Sequence, residues 1–425
     1  QAAFEKARQC NPDSWIPHTN RLSTMLCEPG HSPLEIRAAH EVWSREHVGN
    51  LVPDEPPLPG IRGNGAALRV GFFSPDFGRH PVGYFLLGAF EELDHRRVEP
   101  VCFSDREQLD DFTGRFRSAA SNWHDLRGRS DSEVADLVVS EKIDVLVDLA
   151  GQTGRHRLGV LARRPAALQL TWIGYPGTTG LATIDGIVAD GVLIPEGSEE
   201  GYTEEVFRLS DGHVSYLPPP EAPEVVDRPI EAPVVFGSFN KLEKTNPDVL
   251  AAWAELLGRC PQSTLVMGSR GLEDPAVSGR YRKLLEDAGL DADRVELRGW
   301  IAHADLLETY ARIDIALDTF PFSGGLTSCE ALWMGVPVVT WAGERMSSRQ
   351  TASFLLQVDL ANLIAGSREA YIETAVALAE DQTARCELRG VLRERMRSGS
   401  LCDSRALAEN FSELVERAWQ QRCVV

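Results

Sequence analysis

The most informative stretch of the sequence, residues 317–340, reads LDTFPFSGGLTSCEALWMGVPVVT. A short apolar run ends at Asp318, a loop with two consecutive glycines follows, and a helical segment then leads into a second apolar run. This succession predicts strand, glycine loop, helix and strand, the repeating unit of a parallel α/β sheet. We expect Thr327 or Ser328 to cap the helix, because hydroxyl side chains are favoured at that position.

The same alternation of short apolar runs and amphipathic segments extends over most of the chain. It indicates parallel sheets covered by helices on both faces. Amphipathic helices are predicted at 131–142 and, as a long terminal helix, at 404–421. Ten runs are predicted to be strands: 68–73, 98–103, 143–149, 168–172, 184–188, 233–239, 264–268, 294–297, 313–317 and 336–340.

Two proline-rich segments divide the chain, VPDEPPLPG at 52–60 and LPPPEAP at 217–223. Neither can form regular helix or a central strand. We therefore expect a helical region at 1–66, in which Ser32-Pro33 begins a helix, an N-terminal lobe at 67–225, and a C-terminal lobe with the terminal helix at 226–425. Two such lobes joined by a hinge imply a cleft, with ligands at the carboxyl ends of the strands.

Composition narrows the possible functions. The 425 residues are 43% apolar and carry a net charge of −20, which disfavours binding to nucleic acid or to anionic lipid. No apolar run approaches the ~20 residues of a membrane span. The eight cysteines form no C-x-x-C, and no two of the ten histidines stand at a metal-ligand spacing. These patterns favour reduced thiols in a cytoplasm over a zinc site or a disulfide framework.

The loop and helix start within 317–340 form a candidate anion site. A helix N-terminus that follows Gly324 and Gly325 presents free N–H groups and a partial positive charge. A diphosphate suits this arrangement, and Glu330, one turn into the helix, is placed to accept hydrogen bonds from ribose hydroxyls. The structural alternative is that the glycines only shape a turn and Thr327 only caps the helix.

A second candidate, FGSFNKLEKTNP at 236–247, leaves the first strand of the C-terminal lobe. Two lysines and an amide, Lys241, Lys244 and Asn240, suit a phosphate because lysine supplies a point charge. The alternative is a solvated turn before a helix that starts near Pro247.

Two further loops follow strands of the N-terminal lobe. SPDFGRHPVGY at 74–84 contains His80, which is the natural general base at neutral pH or, alternatively, a hydrogen-bonded structural histidine. WIGYPGTTG at 172–180 is either a shaped binding loop or a rigid connector. Dinucleotide-binding, P-loop and nucleophile-elbow motifs are absent from the sequence.

Four segments in order, SPDFxxHP, YPGTTG, FNxLxK and GGxTSCEALWMGVPVVT, resemble the protein O-GlcNAc transferase / SPINDLY family of nucleotide-sugar glycosyltransferases. The resemblance covers residues 67–420 and implies a GT-B fold, two Rossmann-like lobes preceded by tetratricopeptide (TPR) repeats. Residues 1–15 are similar to the last helix of such a repeat. Since the chain opens within a helical pattern and without methionine, we expect it to be a piece of a longer protein.

The resemblance also implies roles for individual residues. Lys244 matches the family's lysine that neutralises the departing diphosphate. Glu330 matches the acidic residue that binds the ribose. His80 matches the histidine beside the sugar and the acceptor, which acts either as a base or as a positioning residue. The implied donor-binding residues are Asn240, Lys241, Ile301, His303, Phe322, Gly324, Gly325, Leu326, Thr327, Ser328 and Glu330.

The resemblance also implies residues on the acceptor side. These are Asp76, Pro81, Tyr175, Pro176, Gly177 and Thr178. No metal ligand is implied.

Three departures from the family pattern concern the donor. O-GlcNAc transferases have His-Thr-Thr where this chain has Gly325-Leu326-Thr327, so the hydroxyl of the first threonine is lost at Leu326. Phe322 stands where O-GlcNAc transferases have a small cysteine and SPINDLY has tyrosine, so that its ring would fill the acyl pocket. Leu306 aligns with a base-stacking histidine, for which His303 is a nearby substitute. The donor therefore stays open between UDP-GlcNAc and another UDP- or GDP-sugar.

The resulting hypothesis is a cytoplasmic, inverting, metal-independent transferase without a cofactor, which moves a sugar from a nucleotide-sugar donor to Ser or Thr of a protein acceptor. Nucleic acid and membrane are not expected as partners, and the oligomeric state is open. The alternatives are a transferase for a non-protein acceptor, a nucleotide-sugar epimerase, and a catalytically silent TPR-type binding scaffold.

Overall fold

The computed structural model describes residues 2–11, 14–55, 57, 59–60, 66–229 and 231–423. They form two compact units. The first comprises the described residues of Gln1–Met25, His31–Leu217 and Asp403–Val425, and the second comprises those of Leu26–Gly30 and Pro218–Cys402. This division differs from the boundaries expected from the sequence, because the terminal helix and the N-terminal helices, apart from the end of α2, belong to the first unit.

Each unit contains one parallel sheet. The first sheet has the strand order β3-β2-β1-β4-β5-β6-β7 and the second has β10-β9-β8-β11-β12-β13. The described strands are β1 (Leu68–Ser74), β2 (Val98–Ser104), β3 (Asn122–Asp125), β4 (Val145–Asp148), β5 (Leu168–Thr171), β6 (Gly186–Asp190), β7 (Glu205–Leu209), β8 (Val235–Ser238), β9 (Thr264–Gly268), β10 (Val295–Arg298), β11 (Ile315–Leu317), β12 (Val338–Trp341) and β13 (Ile364–Ala365).

Helices connect and cover these strands. The described α-helices are α1 (Ala2–Cys10), α2 (Ile16–Cys27), α3 (Pro33–His47), α4 (Pro81–Glu91), α5 (Asp111–Ala119), α6 (Asp131–Ser140), α7 (Leu158–Ala162), α8 (Pro247–Arg259), α9 (Pro275–Asp287), α10 (His303–Thr309), α11 (Leu326–Trp333), α12 (Gln350–Leu356), α13 (Arg368–Glu380), α14 (Gln382–Ser398) and α15 (Ser404–Cys423). The helix start predicted at Ser32-Pro33 is confirmed, since Ser32 and Glu35 form a capping box at α3.

The order of strands positions the loops that carry the candidate residues. In each sheet the first strand lies between the second and the fourth, so that β1 pairs with β2 and β4, and β8 pairs with β9 and β11. Doubly wound sheets bind ligands beyond the carboxyl ends of the strands at this reversal of order. The loops after β1 and β8 contain His80 and Lys244, and both therefore follow a strand at a reversal point.

The centre of the first sheet is apolar on both faces, as expected for parallel strands between helices. Phe72 and Phe73 are adjacent on β1 and so face opposite sides of the sheet, and both are buried. The terminal helix α15 packs within the same unit, where Phe411 stacks on Trp172 with ring centroids 4.7 Å apart. This packing makes α15 part of the first unit although it is the last element of the chain.

All ten predicted strands are confirmed within a few residues, and the helices at 131–142 and 404–421 are confirmed as α6 and α15. The sequence did not predict β3, β7 and β13, each of which lies at an edge of its sheet. Among the described residues, no helix is long and apolar enough to cross a bilayer.

Candidate functional site

The loop between β11 and α11 is organised by a buried carboxylate. Asp318, 1% exposed, accepts hydrogen bonds from the Gly324 amide at 2.5 Å and from the Thr340 hydroxyl at 2.7 Å. Burial raises the pKa of Asp318, and these hydrogen bonds and the nearby Lys244 oppose that shift. A side chain at Gly324 would bring its Cβ within 2.1 Å of the Ser328 hydroxyl oxygen, so the tight turn requires glycine.

Lys244 approaches this loop from the segment that follows β8. Its Nζ donates to the Ser323 carbonyl at 2.7 Å and lies 3.9 Å from the centroid of the Phe322 ring. Burial lowers the pKa of Lys244 to about 8, with Asp318 acting in the opposite direction. The ammonium group is therefore held at the loop that leads into α11, in contact with the face of an aromatic ring.

Asn246 fixes the segment that carries Lys244. Its Oδ1 accepts from the amides of Asp248 and Val249 and caps α8, which confirms the helix predicted near Pro247. Its Nδ2 donates to the Phe320 carbonyl at 2.6 Å, which ties this segment to the loop after β11.

The start of α11 differs from the prediction. Gly325 is the N-cap and makes no side-chain capping bond, so the expectation that Thr327 or Ser328 caps the helix is wrong. The Thr327 hydroxyl instead donates to Asn240 Oδ1 at 3.3 Å, and the Ser328 hydroxyl bonds that of Thr351 at 2.8 Å. Tertiary partners thus take up both hydroxyls.

Backbone donors remain at this helix start. The first intrahelical bond runs from the Ser328 amide to the Gly325 carbonyl, so the amides of Leu326 and Thr327 precede it. Leu326 keeps its backbone donor although it lacks a hydroxyl. Positive potential at this end of α11 therefore comes from backbone dipoles and from Lys244.

Glu330 lies one turn into α11 and is 2% exposed. Its Oε1 is 2.7 Å from Nε2 of His303, the first residue of α10. Burial raises the pKa of Glu330, and the His303 partner opposes that shift. The structure thus brings Glu330 and His303 together as a pair. Ile301, just before α10, is half-buried, and Lys241 is exposed.

In the first unit, His80 is the N-cap of α4 and Pro81 is its first residue. His80 Nδ1 accepts from the Val82 amide at 3.4 Å and lies 3.7 Å from the Asp76 carboxylate. Since this bond uses the Nδ1 lone pair, neutral His80 carries its proton on Nε2. The His80 side chain is 42% exposed.

The 172–180 loop is buried in the first unit. Residues 175–178, which are Tyr175, Pro176, Gly177 and Thr178, are all buried. The Tyr175 hydroxyl lies 2.8 Å from His40 Nε2, and the Thr178 hydroxyl donates to Glu204 at 2.6 Å. Glu204 also accepts from the Thr179 amide and hydroxyl. Burial lowers the pKa of His40 to about 4, so it is neutral at pH 7.

The sequence candidates therefore fall into two sets. The structure brings together Asn240, Lys244, Phe322, the Gly324–Gly325 turn, Thr327 and, through α11, the Glu330–His303 pair. It places Asp76 and His80 in the loop after β1 and Pro81 at the start of α4, and it buries the 175–178 segment in the same unit. Sequence reasoning missed the roles of Asp318 and Asn246 in organising this site, because a single polar residue beside a strand or a helix start has no distinctive spacing.

The chain is similar to known proteins in family, in sequence and in fold. Residues 57–214 and 226–411 match Glycosyl transferase family 41. The SPINDLY proteins of Solanum lycopersicum and Arabidopsis thaliana, both named probable UDP-N-acetylglucosamine–peptide N-acetylglucosaminyltransferases, are 35% identical over 420 residues, 97% of this chain and 45% and 46% of theirs.

Among solved structures, a mutant O-GlcNAc transferase of Thermobaculum terrenum matches with a TM-score of 0.94 at 36% identity, covering 99% of this chain and 81% of that one. This likeness confirms the expected fold class, two Rossmann-like units of the GT-B type. The chain spans less than half the length of the curated SPINDLY relatives.

Proposed function

Because the chain belongs to glycosyl transferase family 41, we propose that it transfers a sugar from a nucleotide-sugar donor to serine or threonine hydroxyls of a protein acceptor. One observation carries this proposal. Lys244 Nζ is held 2.7 Å from the carbonyl of Ser323, in the loop that leads directly into the N-terminus of α11. A cation and free helix amides thus share one short segment, where a diphosphate would bind.

In this proposal the second unit stabilises the leaving group. When the bond between the sugar and the diphosphate breaks, negative charge grows on the diphosphate oxygens. Lys244 and the amides of Leu326 and Thr327 oppose that charge. Fixed donors of this kind act mainly on the transition state, and removing one typically costs about 2.7–4 kcal/mol of the barrier.

The donor is proposed from the groups around this position. Glu330 with His303 would receive the ribose and the base, and the names of the SPINDLY relatives make UDP-GlcNAc the first donor to test. Phe322 covers Lys244 with its ring, which leaves less room beside the sugar than a small side chain would. We therefore include UDP- and GDP-sugars without an N-acetyl group.

His80 is proposed to act on the acceptor side. With Nδ1 accepting from the Val82 amide, neutral His80 holds its proton on Nε2, and we propose that this proton is donated to the sugar or to the incoming hydroxyl oxygen. This geometry favours a positioning role over that of a general base. Inversion at the anomeric carbon would follow from attack on the face opposite the diphosphate.

We propose that the reaction takes place in a reducing cytoplasm. All eight cysteines are free thiols, which is typical of proteins in that compartment.

We propose a protein as the acceptor, because the names of the SPINDLY relatives specify peptide transfer.

A donor screen followed by a labelling assay tests this function. The chain is heated with UDP, GDP and CMP in turn, and the bound nucleotide should stabilise it by about 2.7 kcal/mol at 100 times its Kd. Radiolabelled sugars of that nucleotide are then incubated with the chain and a cell lysate. Label should appear in polypeptide bands.

The Lys244→Ala variant serves as the inactive comparison, and its labelling should fall to background. Label found only in small molecules would contradict protein transfer, and interconversion of donor sugars without transfer would identify an epimerase. A chain that binds no nucleotide would be a silent scaffold.

A further inference from the structure

The first two long helices of the first unit bring three potential metal ligands together. His18 lies in the first turn of α2, and Glu46 and His47 lie at the end of α3. Among the described residues, this is the group of three whose ligand atoms all lie within 4.8 Å of one another. The three residues form no local spacing motif, because 28 and 29 positions separate His18 from the other two.

The separations fit one shared ion. His18 Nδ1 is 3.1 Å from His47 Nε2 and 3.5 Å from Glu46 Oε2. Zinc binds nitrogen and oxygen at about 2.0–2.2 Å, so tetrahedral ligand atoms stand about 3.3–3.5 Å apart. Both measured separations lie within a few tenths of an ångström of that edge, and the donors need only small side-chain adjustments.

The three groups have the ligand chemistry that one cation needs. His18 Nδ1, His47 Nε2 and the Glu46 carboxylate each contribute one lone pair to an ion placed between them.

The two imidazoles are held by packing. His18 is 1% exposed, and the His47 ring meets the His18 ring edge-on, with centroids 5.3 Å apart. On its other side His47 contacts the buried Trp43 ring at 5.4 Å. The capping box at Ser32 anchors the opposite end of α3. Ligands fixed in this way lose little side-chain freedom when an ion binds.

One of the three residues also borders a cavity. His47 lines a cavity of about 720 Å³ in the same unit, together with Trp15, Trp43 and His156. A water molecule in that cavity could complete a coordination shell with three protein ligands, an arrangement common for zinc. The two imidazoles and one carboxylate also match the preference of other borderline ions such as nickel and copper.

We propose that His18, Glu46 and His47 bind one divalent transition-metal ion of the zinc class, which joins α2 to α3. This site is separate from the loops that contain Lys244 and His80, and it does not depend on the proposed transfer reaction. Its expected effect is to fix the end of α3 against the start of α2.

Metal titration of the purified chain tests the proposal. The chain is stripped with a chelator and titrated with Zn²⁺, and we expect one tight equivalent and a higher Tm. Co²⁺ is used as a second probe, because a nitrogen and oxygen site lacks the sulfur-to-metal charge-transfer band that the free cysteines would produce.

Three variants assign the site. His47→Ala and the milder Glu46→Gln should weaken Zn²⁺ binding by more than about tenfold. His95→Ala, which removes an exposed histidine elsewhere in the unit, should leave it unchanged. The proposal is overturned if the stripped chain binds no stoichiometric Zn²⁺, if both ligand variants keep the parent affinity, or if bound Co²⁺ shows the thiolate band. Glu46→Gln, at a half-exposed position, keeps the test valid if His47→Ala does not fold.

Discussion

Two loops of the molecule share a composition and differ in what their polar groups contact. Residues 322–328, FSGGLTS, and residues 175–180, YPGTTG, both follow a buried strand and combine glycine with hydroxyl side chains. In the first loop the hydroxyls of Thr327 and Ser328 bond to side chains from other segments, and Lys244 and the first amides of α11 lie at the helix start. In the second, Glu204 accepts from the threonines of a buried loop.

The difference shows that loop composition does not identify a binding site. Both loops donate to a buried carboxylate, Asp318 or Glu204, so a carboxylate partner does not distinguish them. What distinguishes 322–328 is Lys244, which adds its charge to the positive potential of a helix start. The following predictions, from the largest expected effect to the smallest, test this contrast.

Replacing Lys244 by alanine should give the largest loss. If this lysine stabilises the departing diphosphate, kcat should fall by about 10²–10³-fold, since one fixed donor to a developing charge is lost. Lys241→Ala removes the same charge from an exposed position in the same loop and should cost much less. Equal losses in both variants would show that only the net charge of the loop matters.

Replacing His80 should separate its two functions. His80→Ala should reduce the rate by on the order of 10²-fold and should also weaken the start of α4 by about 1 kcal/mol. His80→Asn keeps a capping side chain, so stability should recover while the rate stays low. Full recovery of the rate in His80→Asn would make His80 a structural cap only. Steady-state kinetics and urea unfolding measure the two effects.

Glu204→Gln should lower stability rather than transfer. The carboxylate accepts three hydrogen bonds in the 175–180 loop, and a neutral amide replaces them less well, at an expected cost of about 1–3 kcal/mol in the free energy of unfolding. Glu205→Gln, an exposed neighbour on β7, is the control for the same chemical change. A large loss of nucleotide affinity without a loss of stability would place this loop in the donor site.

The pH dependence of nucleotide binding should report on Lys244. Its pKa is lowered to about 8, so the ammonium is charged below that pH and loses its proton as the pH rises through it. Affinity for a nucleoside diphosphate should therefore fall above pH 8, by up to about tenfold at pH 9. Lys244→Arg, which stays charged, should flatten the profile. An unchanged profile in that variant would assign the titration to another group.

The strands that the sequence did not predict have a common physical cause. β3, with the sequence NWHD, is only half-buried, and β7 and β13 also lie at sheet edges. An edge strand has one neighbour and less apolar cover, so it lacks the continuous apolar run that marked the central strands. Its existence depends on the adjacent strand, which only the folded sheet supplies.

The sequence also predicted only part of the candidate site. The loop after β8 and the helix start after β11 were recognisable, because a lysine pair and a glycine turn follow apolar runs. The role of Asp318 was not, since one carboxylate at a strand end has no distinctive spacing. The cap of α11 was predicted wrongly because Asn240 and Thr351, distant in sequence, hold the hydroxyls of Thr327 and Ser328.

The sequence by itself determined the alternation of strands and helices, the order of the loops, and the residue types that a diphosphate site needs. Those features depend on local apolar patterning and on chemistry within a few residues. Tertiary structure decided that Lys244 meets the loop before α11, that Glu204 occupies the 175–180 hydroxyls, and that His18 meets His47. These are contacts between residues far apart in the chain, and their burial and charge exist only after packing.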